Sequence, residues 1–529
     1  MNEESFIKKD WRKIDLSFGL VFPNQYELGL SSYTLRLLYY LINSYENYVC
    51  ERIFLPSKVR YPASLNHSSA NDIRSIENRI SLLDFDIIGF SVHDEHDLKN
   101  VLWILEKGGI QLYSEKRREL LLKNGYRYPL IIGGGHVITS NPLLLNEMFD
   151  IFFIGDCEPN LDEFLTKFLN YKADKMDFDT FLKEVTSING IYVPSLNNEV
   201  KRAILENLDQ SPNPIFQLIS KSEKEKKIFE ENFLLEINRG CPFKCKFCIS
   251  SYHNSPFRNK SYESILETIK KAIKHSHFEK LSLIGSCVSS HPNFYEICEF
   301  IISQGKKLSI PSIRIDHITP RVIAILEKAN IKSITIAPEA ATESLRYSLG
   351  KKISNKKIFE VLNLIKNSKI RNVKFYFLIG LPEETDEDIN QIIKLLRKIS
   401  DLGFQPNSLK VNINPFIPKF NTPYENEVKF FLIKNLKLMI TKYQKIEREL
   451  KNVRSIKLKF QNPKEIIKKA RIQIILSLGD KDISELLVRY YAYGATSGAM
   501  RRAEKDLTLP IDDYLLRIQS GYKPWNIKI

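Results

Sequence analysis

The chain has 529 residues, of which 43% are hydrophobic and 27% charged, an ordinary globular composition that argues against disorder and fits about three domains. No run of about 18 uncharged apolar residues occurs, and the start, MNEESFIKKDWRKID, has no apolar stretch, so neither a membrane span nor a secretory signal is expected and the location expected is cytoplasmic. The formal net charge of +15 permits acidic partners such as RNA or phospholipid headgroups, although the lysines are scattered as on a solvated surface.

Residues 1–170 read as alternating strands and helices. The strand candidates are SFGLVFP (17–23), VCERIFLP (49–56), DFDIIGFSV (84–92), YPLIIGGGH (128–136) and DIFFIGD (150–156). Helical spacing separates them, as in SSYTLRLLYYLINSY and HDLKNVLWILEKGGI. This alternation implies a doubly wound parallel sheet, with ligands beyond the strand carboxyl ends, here Asn24, Ser91, Gly133, Gly134, Gly135 and Gly155. Residues 171–230, with GIYVP and the charged SKSEKEKKIFEEN, read as a linker.

Alternation resumes over 231–424, with strand candidates FLLEI, KLSLIG, LSIPSIRI, SITIA, VKFYFLIG and LKVNIN. Six βα units suit an open, partial TIM-type barrel with function at the strand C-terminal ends. Residues 425–529 read as a helical C-terminal region that opens with the amphipathic KFFLIKNLKLMITKYQKIEREL. No internal repeat is evident.

Seven cysteines are present, and three of them, Cys241, Cys245 and Cys248, form C-x3-C-x2-C in INRGCPFKCKFCISS, directly after the first strand of the second α/β region. An odd total with one tight cluster points to a metal site in a reducing compartment. Three thiolates are one short of the four that close an iron–sulfur cube or a structural zinc site, so a cube would keep one iron open. With His253 nearby, a Cys3His zinc knuckle is an alternative, as is a purely electron-transferring cluster.

With this loop the chain resembles the radical S-adenosylmethionine (radical SAM) superfamily. IGSCVSSHP (284–292), IAPEAATESLR (336–346), YFLIGLPEETDED (376–388) and NPFIPKFNTPYE (414–425) resemble strand-end motifs of a subgroup whose members carry an N-terminal cobalamin (B12)-binding-like domain. YELGL, GGGHVITSNP and IFFIGDCEPN are similar to that first domain, and LSLGDKDISELLVRYYAYGAT to its C-terminal helices. The resemblance implies a [4Fe–4S] cluster on Cys241, Cys245 and Cys248, with S-adenosylmethionine on the open iron. It implies Phe247 near the adenine, Gly285 and Ser286 near the methionine part, Glu339 and Arg346 at the ribose or carboxylate, and Ile379 and Gly380 lining the adenine pocket. A reduced cluster of this kind passes one electron to the sulfonium, and the 5′-deoxyadenosyl radical released takes hydrogen from an unactivated carbon, chemistry that amino-acid side chains alone do not supply. An electron donor of ferredoxin or flavodoxin type is implied.

Cobalamin domains with a histidine ligand show D-x-H-x-x-G after their first strand. Here the place reads Asn24-Gln25-Tyr26-Glu27-Leu28-Gly29, and a tyrosine supplies no imidazole. Either cobalamin binds without a histidine above Gly133, Gly134 and Gly135, or the domain keeps the fold without the corrinoid. His93, His96 and His136 also lie at strand ends. The most specific function expected is C–C bond or ring formation, or methylation, on an apolar or large substrate such as an archaeal tetraether membrane lipid, with peripheral membrane contact. A second reading is RNA modification of the methylthiotransferase kind. It is disfavoured because no small β-barrel is appended and the first domain holds only Cys50 and Cys157. A third is a non-enzymatic, zinc-stapled binding protein.

Overall fold

The computed structural model describes residues 7, 9–62, 73–215, 232–460, 462–507 and 510–527. The chain divides into two units, residues 1–231 with 475–511 and 523–529, and residues 232–474 with 512–522. The expected helical C-terminal region is therefore shared out between the two.

The first unit is built on β1 (Leu16–Phe22), β2 (Tyr48–Phe54), β3 (Ile87–Ser91), β4 (Leu130–Gly134), β5 (Ile151–Phe153) and β6 (Ile191–Tyr192), in the order β2-β1-β3-β4-β5-β6. All pairs are parallel except the edge pair β5–β6. β1 and β3 are buried at every position, which is why they read as unbroken apolar runs. The helix Tyr33–Asn43 starts where the Ser32 side chain accepts from the Leu35 amide. Strand order reverses between β1 and β3, so the crevice at their carboxyl ends is the topological switch point.

The expected linker is part of this unit as far as it is described. The helix Phe178–Val185 buries Phe181, Leu182 and Val185, and Phe181 packs on Phe164, Phe168 and Tyr171. GIYVP supplies β6. The regular apolar spacing of FDTFLKEV outweighs the polar residues around it. Residues 220–231, most of SKSEKEKKIFEEN, lie outside the described residues. Late in the chain, Asn141 Nδ2 donates to the carbonyls of Ser477 and Gly479, and Ser484 Oγ to that of Leu144, fastening the helix Lys481–Ala492 to this unit.

The second unit opens with β7 (Asn232–Glu236) and a short antiparallel pair, β8 (Asn238–Arg239) and β9 (Arg258–Asn259). β10 (Lys280–Ile284) and β11 (Lys307–Ser309) join β7 in one parallel sheet. β12 (Ser333–Glu339), β13 (Asn372–Ile379), β14 (Leu409–Pro415) and β15 (Ile456–Leu458) form a second. Neighbours follow chain order, as in an open barrel. All six expected strands are present. β15 is an addition inside the stretch read as helical: Ile433–Leu450 is the crossover helix from β14 to β15 and turns Met439, Tyr443, Ile446 and Leu450 into the core. Three residues broken by a lysine give β15 no periodic signal.

β12 to β14 alternate. Ile334, Ile336, Val373, Phe375, Phe377, Ile379, Leu409, Val411 and Ile413 are buried on one face, while Thr335, Tyr376 and Asn412 are half-buried on the other. That second face is an incompletely filled lumen rather than a packed core. Across it Lys374, Lys410 and Lys457 stand in register on three neighbouring strands.

Candidate active site

The thiol loop is pinned at both ends. After β7 the chain pairs with itself through β8 and β9, closing the excursion 240–257 at its base. Gly240 turns into the loop at φ +77°, where a Cβ would lie 2.4 Å from the Asn254 carbonyl oxygen. Inside, the Cys248 amide donates to the Cys245 carbonyl, Ser251 Oγ to the Phe243 carbonyl, and the Lys246 amide to the Leu349 carbonyl. Gly350, at φ +80°, lets the 349–351 segment run against Lys244, whose carbonyl oxygen a Cβ would meet at 2.8 Å. The loop is thus clamped to the turn after the helix Glu343–Ser348.

Two cations, each paired with an acid, lie near the Cys245 thiol. The Arg314 guanidinium lies 3.7 Å over the Phe243 ring and pairs with Asp316. Lys351 pairs with Glu339 at 2.9 Å. Burial pushes the Cys245 thiol up, and Lys351 and Arg314 pull it back. The Cys241 thiol meets that of Cys287 on the turn after β10; this contact and burial hold Cys241 high, while the same contact and the Ser290 hydroxyl pull Cys287 down against its burial. All seven cysteines are free thiols. Among the described residues, no three His, Cys, Asp or Glu side chains converge at metal-ligand spacing. The donor set, three soft thiols on one short loop, suits an iron–sulfur cluster.

The other residues singled out in the sequence fall into place as follows. Phe247 packs against Ala340, Leu345, Leu349, Leu381, Phe416 and Tyr424, a small apolar cluster that Leu378 also borders. Ile379 turns its side chain to the opposite, helix-facing side, so it is Leu378 that reaches the Phe247 cluster. Gly380, at φ +77°, donates its amide to Glu384, which Lys442 holds. Gly285 accommodates Asn238, whose Oδ1 would lie 2.1 Å from a Cβ there, and Ser286 beside it is exposed. Glu339 sits at φ +67° where the β12–β13 register shifts, facing Lys351. Arg346 is wholly buried, donating to the carbonyls of Ala340, Ala341 and Ile353 and to Asn355; it braces the turn that carries Glu339. His253 is buried with Nε2 on the Phe420 carbonyl at 2.7 Å, so it is committed to the fold and does not complete a Cys3His zinc site. Sequence reading missed Cys287, Arg314, Lys351 and Asn238. Only IGSC, a cysteine just past a strand end, carried any signal, and Cys287 lies too far along the chain for motif spacing to link it to Cys241.

At the first unit's switch point, Asn24 Nδ2 donates to Asp97 and Asn24 Oδ1 accepts from the Gln25 amide. Tyr26 is buried edge-on against Phe54 at 5.2 Å. His93 bonds Ser91 through Nε2, and its ring stands 5.8 Å from that of His136. Burial and His136 push the His93 imidazole down to about 4, and burial with Asp94 pushes the Asp97 carboxyl up to about 7. Gly135 turns at φ +102°, with the Val92 carbonyl oxygen 2.5 Å from where a Cβ would be, whereas a Cβ on Gly134 would meet nothing nearer than 3.7 Å. The turn therefore presents bare backbone, which fits a large flat ring laid over it, and Tyr26 offers that ring no ligand.

Two family models match the chain, one for the N-terminal part of radical SAM proteins over residues 34–194 and one for the radical SAM superfamily over residues 235–396. The chain belongs to the radical SAM superfamily. Its cofactors are a [4Fe–4S] cluster and S-adenosylmethionine, and its first unit is a cobalamin-binding-like domain. An uncharacterized protein of Methanocaldococcus jannaschii is 27% identical to this radical SAM chain over 508 residues, covering 96% of it and 97% of the relative. An uncharacterized methyltransferase of Pyrococcus horikoshii is 22% identical over 275 residues, 51% of this chain and 58% of the relative. Among solved structures, the radical SAM methyltransferase TsrM of Kitasatospora setae, with cobalamin and a [4Fe–4S] cluster bound, superposes with a TM-score of 0.54 at 12% identity, covering 96% of this chain and all of that one.

Proposed function

We propose that the protein is a radical SAM methyltransferase in which Cys241, Cys245 and Cys248 hold the cluster and the first unit holds a corrinoid without a histidine ligand. The observation that carries this reading is the clamped C-x3-C-x2-C loop at the end of β7, with Arg314 and Lys351 beside its thiols. When bound, the cluster supplies a single electron to the sulfonium of S-adenosylmethionine. The chain's own residues do the rest. The clamped loop carries all three thiols as the ligand set, Phe247 and its apolar neighbours offer a face to the adenine, and the Glu339–Lys351 pair offers hydrogen bonds beside it. Gly285 and Ser286 border the methionine part, and Gly380 the adenine, where the Glu384–Lys442 pair holds its turn. Arg346 acts through the turn it braces. The backbone at Gly134 and Gly135 is the seat proposed for the corrinoid; Gly133, expected to share it, is buried in β4 under Phe149 and Phe152.

Methyl transfer is favoured by the names of the Pyrococcus relative and of TsrM. For substrate we propose an unactivated carbon of an apolar molecule, a membrane lipid in the first instance, with electrons from a ferredoxin- or flavodoxin-type donor. No helix among the described residues is long and apolar enough to cross a membrane. The test is anaerobic reconstitution with iron, sulfide and hydroxocobalamin, followed by reduction with S-adenosylmethionine present. Methylation yields S-adenosylhomocysteine together with 5′-deoxyadenosine and a retained corrinoid spectrum. 5′-Deoxyadenosine alone, without corrinoid, assigns bond formation instead. Lipid extracts of a deletion strain that match those of its parent remove the lipid substrate.

A further inference from the structure

A cube held by three thiols has one iron without a protein ligand, and the structure sets a fourth thiol beside the first. Cys287 lies on the turn after β10, and β10 runs parallel to β7 with Ile284 opposite Glu236, so this turn abuts the start of the thiol loop. The Cys241 and Cys287 thiols meet side chain to side chain and are not joined as a disulfide. The Ser290 hydroxyl donates to Cys287 Sγ at 3.1 Å. Ser289 lies 3.9 Å from the same sulfur and is itself bonded to His317 Nδ1 at 2.9 Å. The sulfur is thus supported from its own turn in the way cluster thiolates are, where hydrogen bonds disperse the charge.

The backbone that carries it is fixed from the other side. Asn238, on the strand that leads into the thiol loop, donates Nδ2 to the Cys287 carbonyl at 2.9 Å. Asn238 is 1% exposed, and its Oδ1, lodged against Gly285, has no hydrogen-bond partner. An orphaned buried acceptor carries a cost, and this one lies at the turn between Gly285 and Cys287, where a ligand with donor groups would satisfy it.

We propose that Cys287 ligates the fourth iron of the cluster while S-adenosylmethionine is absent and is displaced when it binds. The exchange changes no oxidation state. The Fe–S bond to Cys287 breaks as the amino nitrogen and a carboxylate oxygen of S-adenosylmethionine bind that iron. The freed thiolate keeps its electron pair and charge, held by Ser290 and the Ser289–His317 pair. The resting cluster is then closed to solvent oxidants and opens only for its co-substrate. The inference rests on Cys241, Cys245 and Cys248 holding the cluster.

The test uses the full chain reconstituted anaerobically with iron and sulfide. Without S-adenosylmethionine, Mössbauer spectra of the wild type are expected to show four thiolate-ligated irons, and one distinct iron once S-adenosylmethionine is added. A distinct iron already present beforehand overturns the proposal. Under limiting ferricyanide, Cys287→Ala is expected to lose its fourth iron and give the [3Fe–4S] EPR signal about tenfold faster than wild type, with Cys287→Ser between the two. Equal rates in all three overturn the fourth ligand alone. A wild-type chain that takes up no iron overturns the cluster assignment with it. The Mössbauer arm needs no variant and so stands if Cys287→Ala fails to fold.

Discussion

Both units put their candidate chemistry beyond the carboxyl ends of parallel strands, yet they do so with different materials. In the first, the polar groups at the switch point largely satisfy one another: Asn24 serves Asp97, and His93 serves Ser91. What is left over is glycine backbone. In the second, the loop after β7 offers reactive side chains on a scaffold tied down by other segments. A corrinoid seat without a histidine ligand is made by removing side chains, whereas a cluster seat is made by adding them. The second is therefore far easier to abolish by substitution, and the consequences differ in size.

The largest effect separates the two at once. Replacing Cys241, Cys245 and Cys248 together by alanine is expected to reduce iron from about four per chain to almost none and to end 5′-deoxyadenosine release, while hydroxocobalamin retention is unchanged. Iron and product unaltered would break the assignment. Next, Gly350→Ala places a Cβ at φ +80° within 2.8 Å of the Lys244 carbonyl. It is expected to loosen the clamp, cost about 1–2 kcal/mol and lower iron occupancy severalfold without removing it, as read by iron analysis and thermal unfolding. Third, Tyr26→His restores one letter of the histidine pattern but puts the imidazole against Phe54 in the core. The variant is expected to lose about 2 kcal/mol of stability and to show no histidine-ligated corrinoid spectrum. A base-on spectrum would show that the first seat can be built from side chains after all.

The smallest effect is in pH. His93 has a folded pKa lowered to about 4. The unfolded chain therefore binds more protons between about 4 and 6.5, and stability falls as the pH drops through that window. Asp97, raised to about 7, does the reverse: the folded state binds more protons from about 7 down to 4, and acid stabilises it. The two nearly cancel in wild type. His93→Gln should gain stability on going from pH 7 to 5 and Asp97→Asn should lose it, with melting temperatures diverging by roughly 5 °C. Parallel curves would place both side chains in ordinary solvent.

Strand identity was legible wherever burial on both faces produced unbroken apolar runs, as in DFDIIGFSV, or helices intervened at regular spacing. It failed at β15, where pairing with β14 rather than composition makes the strand. The helix Phe178–Val185 gives only a weak signal because charged residues surround its apolar face. At the site, local spacing revealed Cys241, Cys245 and Cys248. Cys287 and Arg314 follow other strands and Lys351 follows the helix Glu343–Ser348, and they meet that loop only in the folded barrel, which no window of sequence contains. Ile379 and Leu378 show the finest limit: neighbours on one strand face opposite ways, and a motif match alone does not say which one faces the ligand.

The lysine ladder of Lys374, Lys410 and Lys457 has a bearing on handling the protein. Like charges placed directly across adjacent strands repel, and the register sets Lys374 opposite Lys410 and Lys410 opposite Lys457. Mobile anions weaken such repulsion as the Debye length shrinks, from about 30 Å at 0.01 M to 8 Å at 0.15 M ionic strength. The second unit should accordingly be most fragile in dilute buffer and firmer in moderate salt, the opposite of what a lattice of surface ion pairs would produce.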